Sequence, residues 1–166
     1  TERTAKDAHL YRDLGRLETS VVITLAPEAL VSEGIATNAL EEALGPKPFD
    51  VVADVLADMD VMFDPIEAHE FHRAEMGLFA TGTNAAFMLH EDGAPTEEAE
   101  EYLREWALES NEKAARSIAV VSDPSSRAYV SAYTDGRRLC RDFAERAHGN
   151  FTRLLTEQLS SADLLS

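Results

Sequence analysis

Cysteine is almost missing from this chain: Cys140 stands alone, so no internal disulfide can form and a cross-linked scaffold is excluded. That scarcity fits a reducing, cytoplasmic compartment. No apolar run reaches the length that spans a bilayer, and no signal-peptide pattern is present. Basic residues are few, with 15 Lys and Arg against 31 Asp and Glu and a formal net charge of -16. Phosphates would be repelled rather than neutralised, which argues against nucleic acid, and anionic membrane surfaces are disfavoured on the same ground. There is no phosphate-cradling Gly loop, no Gly-x-Ser-x-Gly elbow and no Cys-x-x-Cys pair. No internal repeat and no dividing linker is visible, so the 166 residues are expected to form a single helical domain, 1–166, with a core of its own. An initiator Met is lacking too. Thr1 runs straight into a helical pattern, and the expectation is a fragment of a longer chain.

What the chain does contain reads as nearly all helix, an irregular multi-helix bundle. Residues 2–14 are helical in pattern, with Gly15 able to end them. Leu17 to Leu25 includes Val-Val-Ile but lacks alternation, and is expected as buried helix. Pro27 opens a helix that stops at Gly45-Pro46, with Gly just past the end and Pro after it. Pro48 and Asp50 introduce a helix to about Asp58, and Asp64-Pro65 caps a long one to about His90. After the loop 91–95, an acidic helix runs to about Glu109 and a shorter one to about Ala119. Asp123-Pro124 opens the next, to about Ala147. Phe151 to Leu159 is short helix, and Ser160 to Asp163 resembles a capping box.

Glu33 is the residue that calls for an explanation. On a helix, Ala29, Ala36, Leu40, Ala43 and Leu44 form one apolar stripe, and Glu33 points into its middle. Asn38, Glu41 and Glu42 are expected to face water. An inward carboxylate costs several kcal/mol unless a cation, a metal or donors hold it. It either pairs with a buried Arg, caps a neighbour, or ligates a metal.

Other constellations leave alternatives open. His69, His72, Met76, Phe79, Thr83, Phe87 and His90 share about one third of the circumference of the 65–90 helix, which is either a cleft wall or a central core helix. His69 and His72, three apart, can share a face, so Glu33, His69 and His72 form one conceivable metal set. A di-iron bundle is disfavoured, because it needs Glu-x-x-His twice. On the 124–147 helix, Tyr129, Tyr133, Gly136, Cys140, Phe143, Ala144 and Ala147 share a face, with Arg137 at its border. Arg137 beside the tyrosines could grip a carboxylate or an oxyanion; ordinary helix packing is the other reading. Cys140 reads as inert core. Charge runs such as Glu97-Glu98-Ala99-Glu100-Glu101 read as solvated faces.

Three segments carry a resemblance. His-Leu-Tyr-Arg-Asp-Leu-Gly-Arg-Leu-Glu-Thr-Ser-Val-Val-Ile (9–23) with Pro-Glu-Ala-Leu-Val-Ser-Glu-Gly-Ile-Ala (27–36), Arg-Ala-Tyr-Val-Ser-Ala-Tyr-Thr-Asp-Gly-Arg-Arg-Leu (127–139) and Phe-Thr-Arg-Leu-Leu-Thr-Glu-Gln-Leu (151–159) resemble a bacterial family of helical, zinc-metallopeptidase-like proteins related to the gluzincins. The resemblance implies the C-terminal part of such an architecture. It implies that Glu33 is the third zinc ligand, that Tyr133 and Arg137 lie on the substrate side, and that the full-length parent takes a peptide substrate. The His-Glu-x-x-x-Gly-His-His type motif that would supply two His ligands and the general base is absent from this chain. Zinc is therefore expected only with that segment, and this chain alone is expected to be inactive. The alternative is a non-catalytic helical bundle, a degenerate relative or a partner-binding module, without metal.

Overall fold

Among the described residues a capping side chain opens three of the helices. Asp64 accepts from Ile66 N at 2.9 Å and Glu67 N at 3.2 Å ahead of Pro65. Ser110 accepts from Lys113 N, and Ser160 with Asp163 closes a full capping box. Each cap satisfies amide donors that a helix start otherwise leaves unpaired. Left-handed glycines mark breaks: Gly15, Gly45 and Gly149 have φ of +67°, +80° and +88°, a region other L-residues enter at a cost.

The computed structural model describes residues 2–21, 23 and 26–166. Among them every regular element is helical: α1 (Glu2–Lys6) running into π-helical Asp7–Asp13, a 3-10 turn at Leu17–Ser20, α2 (Glu28–Leu44), α3 (Pro48–Ala57), α4 (Pro65–Gly77), α5 (Thr81–His90), α6 (Thr96–Trp106), α7 (Asn111–Ser122), a 3-10 turn at Arg127–Tyr129, α8 (Val130–Arg146), α9 (Asn150–Thr156) and α10 (Ser161–Leu165). The all-α expectation holds. No helix of the described residues is long and apolar enough to cross a membrane.

The chain packs as two compact units. The first comprises Thr1–Ala39 and Ala128–Ser166. Its core gathers Val31 and Ile35 from α2, Leu139, Cys140 and Phe143 from α8, Leu154 from α9, and Leu159 and Leu164 beyond. Burying a side chain such as Leu154 or Leu164 contributes roughly 1.5–3 kcal/mol. Arg146 and Arg153 lie over the Phe143 ring at 5.4 and 5.3 Å, so the ring is covered by guanidinium planes. The second unit comprises Leu40–Arg127. Here α5, α6 and α7 pack together over Ala85, Ala86, Ala99, Leu103, Ala114, Ile118 and Val121. The small alanines let the helices approach closely. α3 and α4 pack on each other.

Several expectations are corrected. The buried face of α2 is Val31, Gly34, Ile35 and Asn38; Ala36 and Ala43 are exposed. Hydrophobicity misplaced the stripe because a glycine, not a large side chain, makes the closest contact. Leu17–Ser20 is a 3-10 turn, closed by the Thr19 and Ser20 hydroxyls on Arg16 O and Leu17 O, both at 2.7 Å. Leu17, Val21 and Ile23 are exposed, so this is not buried helix; Val22, Thr24 and Leu25 lie outside the described residues. The 65–90 helix is two helices, parted after Gly77, where the Thr81 hydroxyl donates to Leu78 O at 2.8 Å. α4 buries no residue fully, so it is not a core helix. Asp123 holds a turn through Ser125 N at 2.8 Å, and α8 starts only at Val130.

Candidate functional site

α2 and α8 meet through two glycines. A Cβ on Gly34 would collide with the Gly136 carbonyl and the Cys140 sulfur, and one on Gly136 would meet Leu30 O, with Gly34 N at 3.0 Å. Glycine inside a helix costs about 1 kcal/mol against alanine, and this backbone approach is what that cost permits. Asn38 fastens the crossing. It is 3% exposed, and its Nδ2 donates to Gly34 O at 2.8 Å and to Arg137 O at 2.9 Å. Its Oδ1 is buried with no hydrogen-bond partner. The apolar pattern of the sequence places Asn38 towards water, and the structure buries it instead. A signal existed in the mid-helix Gly34, one turn away, which already asked for a packing reason.

One turn along, Glu33 is half-buried on α2. It accepts a hydrogen bond from the Tyr129 hydroxyl. That bond, helped by burial and by the nearby charge of Glu33, pushes the Tyr129 phenol well above its ordinary value. Tyr133 stands edge-on to Tyr129, ring centroids 5.5 Å apart at 86°, and is 39% exposed. Arg137 is half-buried, and its guanidinium donates to Thr37 O of α2. The sequence-derived residues Glu33, Tyr133 and Arg137 therefore all lie on the α2–α8 pair. Tyr129, which the sequence placed on this face without a role, holds Glu33.

His69 and His72 belong to the second unit. With Glu41, Glu42, Gly45, Pro46, Pro48 and Phe49 they line a shallow cavity of about 270 Å³. The Phe49 ring meets both imidazoles edge-on, at 6.2 and 5.5 Å, and His72 Nδ1 lies 3.9 Å from Glu75. Among the described residues no three His, Cys, Asp or Glu side chains gather as metal ligands. Glu33 belongs to the first unit and His69 and His72 to the second, and Glu33 offers one carboxylate where a catalytic zinc needs three protein ligands and an open position. These residues by themselves do not fit a complete zinc centre.

Compared with family models, with curated proteins and with solved structures, the chain shows no match.

Proposed function

We propose that this chain is the C-terminal helical portion of a zinc-metallopeptidase-like hydrolase of gluzincin-related architecture, in which Glu33 is the third metal ligand. The observation that supports this most is the partner of Glu33. Among the described residues a phenol, not a guanidinium or ammonium, holds the carboxylate. A phenol orients it and uses one of its about four lone-pair sites, as outer-shell donors do for metal-bound carboxylates. The sequence likeness around 27–36 and 127–139 supports the same reading. In it the two His ligands and the base come from a His-Glu segment that this chain lacks. Tyr133, with its exposed phenol, borders the peptide substrate, while Arg137 chiefly ties α8 to α2.

The test is zinc affinity. For the polypeptide that includes the His-Glu segment, Glu33→Gln is expected to weaken zinc binding more than Tyr129→Phe, which removes an outer-shell partner worth about 10–100-fold. Unchanged affinity in the Glu33→Gln variant overturns the assignment. This chain alone is expected to lose zinc on dialysis and to cleave no peptide; zinc retained at one equivalent contradicts the reading. A second reading, a helical bundle without catalysis, is favoured by the incomplete ligand set among the described residues. Under it Glu33→Gln changes only stability.

A further inference from the structure

Val51, Val55 and Met59 recur at every fourth position, so they lie along one stripe of α3 and the turn that follows it. All three are exposed, by 39%, 57% and 66%. Asp50, Asp54 and Asp58 repeat with the same spacing one residue earlier, and all three are exposed as well. One residue is a rotation of about 100°, so an acidic stripe runs beside the apolar one, on one flank. Lys47 approaches Asp50 at 3.9 Å; among the described residues no ion pair forms at Asp54 or Asp58. Pro48 is the only residue of α3 that is fully buried. A continuous apolar stripe left in water on a helix is a mark of an interaction surface.

The two stripes together define what would cover them. A second copy of this chain would set Asp against Asp, and each copy carries a formal net charge of -16, so self-association is opposed at close and long range. We propose that this face of α3 docks a basic amphipathic helix of a partner protein. The apolar side chains of that helix cover Val51, Val55 and Met59, and Lys or Arg along one edge meets Asp50, Asp54 and Asp58. This is the helix-against-groove mode of recognition, with rim charges setting register and association rate. It stands independently of the assignment of Glu33.

Fluorescence anisotropy with a labelled amphipathic peptide of Leu and Lys tests the proposal. A scrambled peptide of the same composition and a Leu/Glu counterpart serve as controls. The Leu/Lys helix is expected to bind, and to bind more weakly as salt rises. Val55→Ser with Met59→Ser is expected to weaken it about tenfold or more, as for truncated anchors. Asp54→Asn with Asp58→Asn should weaken it and flatten its salt dependence. All four positions are exposed, and unchanged circular dichroism confirms that the variants fold. The proposal is overturned by equal binding of the scrambled peptide, by no binding, or by serine variants that bind like the parent. Concentration-dependent dimers in sedimentation that vanish in the serine variants overturn it too, since they would show a second copy on this face.

Discussion

Tyr129 keeps its proton because ionising it would place a phenolate against the carboxylate of Glu33. The sign of the linkage follows. Its folded pKa is raised above the ordinary phenol value of 10.0, so its contribution to stability is complete below about pH 10 and is lost as pH rises towards the folded value. Ultraviolet titration should show Tyr129 ionising at a higher pH in the parent than in Glu33→Gln. If the two titration curves coincide, the Tyr129–Glu33 bond does not exist in solution. Asn38 makes a second claim at this scale. Asn38→Ala strips two carbonyls, Gly34 O and Arg137 O, of a buried donor. A loss of about 1–3 kcal/mol is expected, read from the urea midpoint of the first unit.

At the scale of elements, the α2–α8 crossing depends on two missing side chains. Gly34→Ala and Gly136→Ala each push a methyl group into the facing helix's backbone, which cannot move aside as a flexible side chain would. Either should cost about 1–3 kcal/mol or more, although alanine is the better helix former. A gain in stability from Gly34→Ala would mean that the helices do not touch there. Helix starts and stops were legible in sequence where their chemistry is local: Asp64-Pro65, Gly45-Pro46, Ser160 with Asp163. The break after Gly77 was not, because nothing as strong as Pro marks it, and a continuous pattern of apolar residues ran through it. The buried face of α2 was misread for a related reason. Hydrophobicity ranks Ala36 above Gly34 and Asn38, whereas packing against Gly136 ranks them the other way. For the site, the apolar stripe that singles out Glu33 in sequence is not the buried face, and Glu33 lies half-buried beside Val31, Gly34, Ile35 and Asn38. Its partner was not legible, since a residue 96 positions away can be paired only by tertiary structure.

Across the whole molecule, helical patterning punctuated by Pro, Gly and capping residues set the class, an all-α fold, and that is what the described residues show. The grouping of those helices into two compact units left no linker to read, because one boundary falls inside α2, between Ala39 and Leu40, and the other inside the 3-10 turn Arg127–Tyr129. The acidic excess has a measurable effect. With -16 of formal charge, the folded chain repels itself, and salt screens that repulsion within a Debye length of about 10 Å at 0.1 M. Melting temperature should therefore rise between about 10 mM and 0.5 M sodium chloride, where screening is strongest; a fall would show that attractive ion pairs dominate. The lone thiol gives the first unit a reporter of its own. Cys140 is fully enclosed, its Sγ donating to Val31 O at 3.7 Å, so a disulfide reagent can reach it only when that core parts. The rate of colour release then counts breathing events in the native protein, with no label added, and the glycine variants should make the clock run faster.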